Sequence, residues 1–326
     1  MVGDILEPRY TIRHPVLADL DAVYAVIVAS EIEEFGESQG YSIEELEGDW
    51  TQLDLGRDAW VAIAPDGALA GYGYVQDRRH VRLDVEVYVH PAHYARGIGT
   101  TLVRLAEVRA REHVPLAPAE TRVVINNWIN ALNAEARSLL EREGYTPVRY
   151  FFRMEITFNE EPAAASWPAG ISVRTGEADD DLRPFYETSE EAMADHWGHV
   201  PRPYEEWRER HTRSNFDPSL WFLALDDEEP AGAVICSVSD GIGWIDGLMV
   251  RRPWRRRGLG FALLTHAFRE LYARGMQRMA LGVDAESPTG ATRLYERAGM
   301  HIGQQYATYG KELRAGIELA NVDEDG

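Results

Sequence analysis

Two blocks of sequence recur in the same order in both halves of this chain, and that repetition restricts the fold more than any other feature. The first half carries VRLDVEVYVHP followed by HYARGIGTTLVRLAEVRARE; the second carries GWIDGLMVRRP followed by WRRRGLGFALLTHAFRELYARG. Each reads as a strand, a proline, basic residues, a Gly-x-Gly pair (Gly97 and Gly99, then Gly258 and Gly260) and a long amphipathic helix. Further on, ALNAEARSLLEREGY and GATRLYERAGM each give a short helix that stops at a glycine. Two such blocks in register predict two copies of one fold.

The 326 residues leave room for both copies, since a domain takes about 100–200 residues. The segment 159–170, NEEPAAASWPAG, is rich in proline, alanine and acids, lacks periodicity and reads as a linker. The expected division is domain one at 1–158, a linker at 159–170, domain two at 171–314 and an acidic tail at 315–326. In domain two, strands are expected at 171–174, 221–226, 231–239, 243–250, 280–283 and 302–313, and helices at 179–193, 203–211, 259–274 and 290–297. Domain one repeats that order from Tyr10 to Ile156. The fold class is α+β: two tandem domains, each a mixed, mostly antiparallel twisted sheet flanked by helices.

Composition removes several functions. With 54 acidic against 33 basic residues and a net charge of −21, the surface is unsuited to nucleic acid or to anionic lipid. No stretch approaches the ~18 apolar residues of a membrane span. The N-terminus carries acids and no long apolar run, so no secretory signal is expected and the chain reads as soluble and cytoplasmic. The single cysteine, Cys236, rules out an intrachain disulfide and, within AVICSVS, reads as core. His196 and His199 stand three apart with no third ligand in view, so no metal is expected.

At Arg255-Arg256-Arg257-Gly258-Leu259-Gly260 the chain leaves a strand and enters a helix. Glycines there permit a tight turn and close approach of a ligand to the backbone. The helix start offers unpaired N–H groups and partial positive charge, a site for an anion. The arginines, with Arg251 and Arg252 upstream, concentrate cations in a very acidic chain, which suits a phosphate-bearing ligand.

Val250, Pro253, Arg255, Gly258 and Gly260 are spaced in a way that resembles the acetyl-CoA signature Gln/Arg-x-x-Gly-x-Gly/Ala of the GNAT acyltransferase superfamily. The run ATRLYERAGM, from Ala291 to Met300, is similar to its Ala-x-x-Leu-Tyr-x-x-x-Gly-Phe block. The tandem arrangement resembles two-domain acetyltransferases of the mycothiol synthase kind. The resemblance implies an N-acetyltransferase that moves acetyl from acetyl-CoA to a primary amine of a small molecule, by direct attack in a ternary complex. It implies that Arg255, Arg256, Arg257, Gly258, Leu259, Gly260 and Phe261 hold the CoA pyrophosphate. Leu248, Met249 and Val250 would hydrogen-bond the pantetheine arm from a strand that is bulged and splayed from its neighbour. Ser287 stands where many relatives carry a CoA-contacting asparagine. Tyr295 matches the tyrosine that protonates the departing thiolate.

The attacking ammonium must also lose a proton. Asp246 shares a strand face with Trp244 and Leu248 by period two. It reads either as that base, its protonated form favoured by apolar neighbours, or as a structural aspartate. Glu190 and Glu191, on the first helix of domain two, are further candidates for base or cation binding, or face solvent. His196, Trp197 and Trp207 read as an acceptor wall or as core aromatics.

Domain one departs from the pattern: Tyr94 replaces the signature Gln/Arg, and Leu140 stands where Tyr295 does. Yet Arg96, Gly97, Ile98, Gly99 and Thr100, with Val87, Tyr88 and Val89, keep the CoA-binding pattern. Glu86 and Asp84 there read as structural. One competent site is therefore expected, in domain two. Two other readings stay open: a non-catalytic acyl-CoA sensor or scaffold, and an acetyltransferase for a protein or peptide amine.

Overall fold

A computed structural model of the chain describes residues 6–7, 9–39, 41–176, 182–194, 196–197, 199–212, 216–287 and 289–318. In chain order the elements are β1 (Thr11–Arg13), α1 (Leu20–Phe35), α2 (Ile43–Trp50), α3 (Leu55–Asp58), β2 (Ala59–Ile63), β3 (Leu69–Arg78), β4 (Arg82–Val89), α4 (Ile98–His113), β5 (Val123–Asn130), α5 (Ala134–Arg142) and β6 (Thr146–Thr157). There follow β7 (Ile171–Thr175), α6 (Leu182–Met193), α7 (Tyr204–His211), β8 (Trp221–Asp226), β9 (Glu229–Ser239), β10 (Ile242–Val250), α8 (Leu259–Ala273), β11 (Arg278–Asp284), α9 (Ala291–Arg297) and β12 (His301–Arg314). The first turn expected for α6, 179–181, lies outside the described residues.

The described chain up to Tyr150, together with 306–318, forms one compact unit, and Phe151–Gln305 forms the other. This division is not linear. In the first unit the strand order is β1-β2-β3-β4-β5-β12, and Tyr306 to Arg314 of β12 pairs with β5. In the second it is β7-β8-β9-β10-β11-β6, and residues 151–157 of β6 pair with β11. Each sheet thus takes in a strand from the other half of the sequence. The segment 159–170 falls inside the second unit rather than between the two. Local composition marks a loop; which sheet a strand joins depends on distant residues.

Within each unit the pairings are antiparallel except β4 with β5 and β10 with β11. A parallel pair needs a crossover, and α4 and α8 supply it. In α8 the buried residues Leu259, Leu263, Leu264, Ala267, Phe268 and Leu271 form one helical stripe. They pack with Leu223, Ala233, Met279 and Leu281 of the sheet. Each buried leucine or phenylalanine is worth about 1.5–3 kcal/mol relative to exposure. In the first unit Val23, Ile27, Leu46 and Trp50 pack on Val61 and Tyr72. There the Trp50 Nε1–H donates to the Tyr72 hydroxyl at 2.9 Å. Cys236 is buried and, as expected, part of the core. Burial pushes its thiol well above the usual range, so it is no nucleophile.

Candidate active site

The second unit's turn between β10 and α8 is built by two left-handed residues. Arg256 has φ +62° and Gly258, the residue before α8, has φ +86°. The first backbone bond there runs from the Ala262 N–H to the Gly258 carbonyl at 3.1 Å. The amides of Leu259, Gly260 and Phe261 therefore have no carbonyl within the helix to bind and point out of its positive end. Arg256 and Arg257 are exposed beside them, Arg257 lying 3.6 Å from Asp226.

Two other arginines have different duties. Arg255 Nε donates to the Val250 carbonyl at 3.1 Å, and its Nη2 reaches the Ala192 carbonyl at 3.4 Å. Arg251 is paired with the Glu191 carboxylate, which also accepts from the Arg252 N–H at 3.1 Å. Glu191, expected near an acceptor, thus clips the end of α6 to the turn. An arginine cluster reads as one patch in sequence; the fold divides it into members exposed at the helix start and members that hold the scaffold.

β10 opens away from β11. The two pair in parallel only from Ile242 to Trp244, against Arg278 to Ala280. Beyond Trp244, β10 keeps its antiparallel partner β9, with Leu248, Met249 and Val250 opposite Val234, Ala233 and Gly232. Between Ile245 and Gly247 the register slips by one residue, and Asp246 is the extra one. Such a bulge twists a strand and frees main-chain groups.

The bulge also changes the reading of Asp246. Period two placed it among Trp244 and Leu248, but the added residue breaks that period and Asp246 is exposed. Its expected enclosure by apolar neighbours is absent. Asp246 sits in the bulge just past Trp244, the last β10 residue that pairs with β11.

Tyr295 lies in α9 and is 7 % exposed. Burial alone pushes its phenol up to about 12, so it keeps its proton at neutral pH. Among the described residues its hydroxyl has no hydrogen-bond partner. The Ser287 hydroxyl, expected at the cofactor, shares a hydrogen bond with the Thr289 hydroxyl at 2.9 Å. The turn from β11 towards α9 is shaped by Asp284, 6 % exposed, whose carboxylate accepts from the Glu286 N–H at 2.9 Å.

Over the opened sheet lies a polar pair that sequence reasoning missed. Arg153 of β6 is buried, ion-paired with Glu155 at 2.8 Å, and its guanidinium lies 4.7 Å from the Trp244 ring centre. Arg153 faces Gly282 across the strand pair. No atom lies within 4 Å of where a Cβ on Gly282 would project, which leaves room over β11. The signal was present in FFRMEIT, where Arg153 and Glu155 share one face of a strand, but that strand had been assigned to domain one. Of the proposed acceptor residues, Glu190 pairs with His199 at 3.3 Å and Trp197 packs at 6.1 Å from Phe151. His196 caps the end of α6 through its N–H, which donates to the Met193 carbonyl. Trp207 is a core aromatic, stacked 4.2 Å from His211 and edge-on to Trp221.

The model of the acetyltransferase (GNAT) family matches residues 21–145 and 180–300, more than half of the chain. The chain belongs to the GNAT family and is an acyltransferase. Among similar proteins, one named mycothiol acetyltransferase from Thermomonospora curvata is 32 % identical over 250 residues, covering 76 % of this chain and 80 % of its own. Another of that name, from Saccharopolyspora erythraea, is 28 % identical over 253 residues, covering 76 % and 83 %. A crystal structure of a GCN5-related N-acetyltransferase from Sphaerobacter thermophilus matches with a TM-score of 0.84 and 41 % identity, covering 97 % of this chain and 100 % of that one. A tandem GNAT protein from the clavulanic acid biosynthesis pathway, 15 % identical, shares the fold with a TM-score of 0.71 over 94 % of this chain.

The first GNAT unit reproduces the framework of the second. Ala95 has φ +61° and Gly97 φ +78°, matching Arg256 and Gly258. A Cβ on Gly99 would meet Leu139 at 3.3 Å and Val89 at 3.7 Å; one on Gly260 would meet Leu294 at 3.2 Å and Val250 at 3.5 Å. The two environments superpose Leu139 on Leu294, and hence Leu140 on Tyr295. β4 also leaves β5, pairing with it only from Arg82 to Val85, but it pairs with β3 without a register slip. Arg96 is ion-paired with Glu7 at 2.9 Å, and the Tyr88 hydroxyl donates to Glu86. Asp84 is held by Arg82 at 2.7 Å. The first GNAT unit has the turn but neither the bulge nor the phenol.

Proposed function

We propose that this GNAT enzyme transfers acetyl from acetyl-CoA to the primary amine of a small molecule, and that the chemistry belongs to the second unit. The observation that carries this reading is Tyr295: a buried phenol, held neutral, in the second unit's α9. The name shared by the curated relatives, mycothiol acetyltransferase, supports a small-molecule acceptor.

Acetyl-CoA supplies the acetyl group activated as a thioester. The amides of Leu259, Gly260 and Phe261, with Arg256, Arg257 and Gly258, fit its pyrophosphate. The freed edge of Leu248, Met249 and Val250 suits a pantetheine arm, and a main-chain N–H at the bulge would polarise the thioester carbonyl. Asp246 takes a proton from the ammonium, directly or through water, and the amine attacks. Tyr295 then faces the leaving sulfur. A phenol at about 12 against a thiol at about 8.5 makes complete proton transfer uphill by roughly 5 kcal/mol. The hydroxyl therefore acts first as a hydrogen-bond donor to the charge growing on sulfur. Arg153 and Trp244 form the acceptor side.

The test is release of CoA thiol across a panel of small primary amines and peptide N-termini. Turnover with a small amine is expected, and Tyr295→Phe should lower kcat by about 10²–10³-fold with little change in the KM for acetyl-CoA. Tight acetyl-CoA binding with no turnover on any acceptor would replace the enzyme reading with a sensor. Turnover on peptide amines alone would move the acceptor class to proteins.

A further inference from the structure

In the first unit, at the end of α4 opposite the turn at Gly97, three potential ligands converge. Asp77 ends the first strand of the β3–β4 hairpin, His80 sits in its turn, and His113 is the last residue of α4. His80 Nδ1 lies 2.6 Å from Asp77 Oδ2 and 2.9 Å from His113 Nδ1, and His113 Nδ1 lies 3.4 Å from the same carboxylate oxygen. With helical rise of about 1.5 Å per residue, His113 is about 24 Å along α4 from Gly97. None of the three residues belongs to that turn or to the second unit.

We propose that Asp77, His80 and His113 bind a divalent first-row transition metal, of which zinc is the natural probe. Two imidazole nitrogens and one carboxylate oxygen form the mixed donor set that such ions favour over calcium or magnesium. A tetrahedral ion with bonds of about 2.0–2.1 Å separates its ligands by about 3.3 Å. The His113–Asp77 separation of 3.4 Å matches that value and the two His80 separations, 2.6 and 2.9 Å, are shorter, so seating an ion requires the half-exposed His80 ring to back away slightly.

Local structure presets the donors. Arg79 and His80 both adopt left-handed φ, +56° and +62°, a conformation costly for residues with side chains. The strain places the His80 ring over the end of α4. The other oxygen of Asp77 accepts the His80 N–H at 2.6 Å and so fixes the carboxylate that aims Oδ2 at both rings. His113 is buried, while Asp77 and His80 are open to solvent on one side, which gives the ion an entry path and a fourth position for water. The negative end of α4 favours a cation at its last residue. In His113 the Nε2 is buried without a partner. That atom is unsatisfied as donor or as acceptor, so binding through Nδ1, which fixes the proton on Nε2, adds no new loss. Without an ion, three atoms with lone pairs crowd one point and must share N–H protons.

His196 and His199 are the histidine pair that stands out in the sequence. Residues 77, 80 and 113 share no local pattern and are brought together by a hairpin and a helix end. The ion would staple the hairpin to the helix of the first unit.

The test uses the full chain, stripped with a chelator, titrated with Zn²⁺ in competition with a chromophoric chelator and, separately, with Co²⁺. One zinc per chain is expected, with visible Co²⁺ absorption of a four-coordinate site and a zinc-dependent rise in melting temperature. His80→Ala, at a half-exposed position, should weaken zinc binding at least about 10-fold and remove both the cobalt band and the thermal shift. Asp77→Asn should weaken binding in the same direction. No saturable binding, or binding retained by folded His80→Ala and Asp77→Asn but lost in His199→Ala, would overturn the proposal.

Discussion

A buried tyrosine and an exposed aspartate divide the proposed proton traffic between them. Tyr295 is enclosed because its ring joins the core of the second unit, where Met300, Leu264 and Leu281 are also buried. Its hydroxyl alone is left over, and burial keeps the proton on it. Asp246 has the opposite character, since the bulge that frees main-chain groups also turns its side chain to solvent. Being exposed, Asp246→Asn should shift stability by no more than about 0.5 kcal/mol. As the base, the same change should lower kcat by about 10²-fold. Urea unfolding and steady-state rates on one preparation separate the roles: unchanged kcat with lowered stability would mark Asp246 as structural. Tyr295 was legible from its flanks. Asp246 was legible as a candidate only, because a register slip leaves no mark in an alternating pattern.

At the scale of elements, the turn before α8 depends on backbone shape as much as on charge. Gly258 at φ +86° orients the following amides. Gly258→Ala should cost about 1 kcal/mol, the penalty of a Cβ in left-handed backbone. It should also raise the KM for acetyl-CoA while leaving kcat nearly constant, because the turn binds and does not react. Equal KM values for both proteins would remove the turn from cofactor binding. Helix and strand positions in this unit follow from periodicity: 221–226 and 259–274 were expected, and Trp221–Asp226 and Leu259–Ala273 are found. The duties of the arginines did not follow. Arg251 and Arg256 look alike in sequence, and partners distant in the chain, Glu191 sixty residues earlier and the Pro230 carbonyl, distinguish them.

At the scale of the molecule, the repeat announced two copies of one fold, and the framework around Gly99 and Gly260 bears that out. The boundary was less accessible. A composition-based cut at 159 would discard residues 151–157, which pair with β11 and bring Met154 and Ile156 into the second unit's core. A fragment of residues 159–326 should therefore be unfolded by far-ultraviolet circular dichroism, having lost a strand and two buried side chains worth about 1.5–3 kcal/mol each. A cooperatively melting fragment would show that β6 is dispensable. No helix among the described residues is long and apolar enough to cross a membrane.

The central claim concerns which group faces the sulfur, and a crystal structure of the full chain with bound acetyl-CoA tests it most directly. The expected result has the diphosphate on the amides of Leu259, Gly260 and Phe261, and the Tyr295 hydroxyl within hydrogen-bond reach of the thioester sulfur. A ligand held elsewhere, or a Tyr295 hydroxyl turned away from the sulfur, would contradict it.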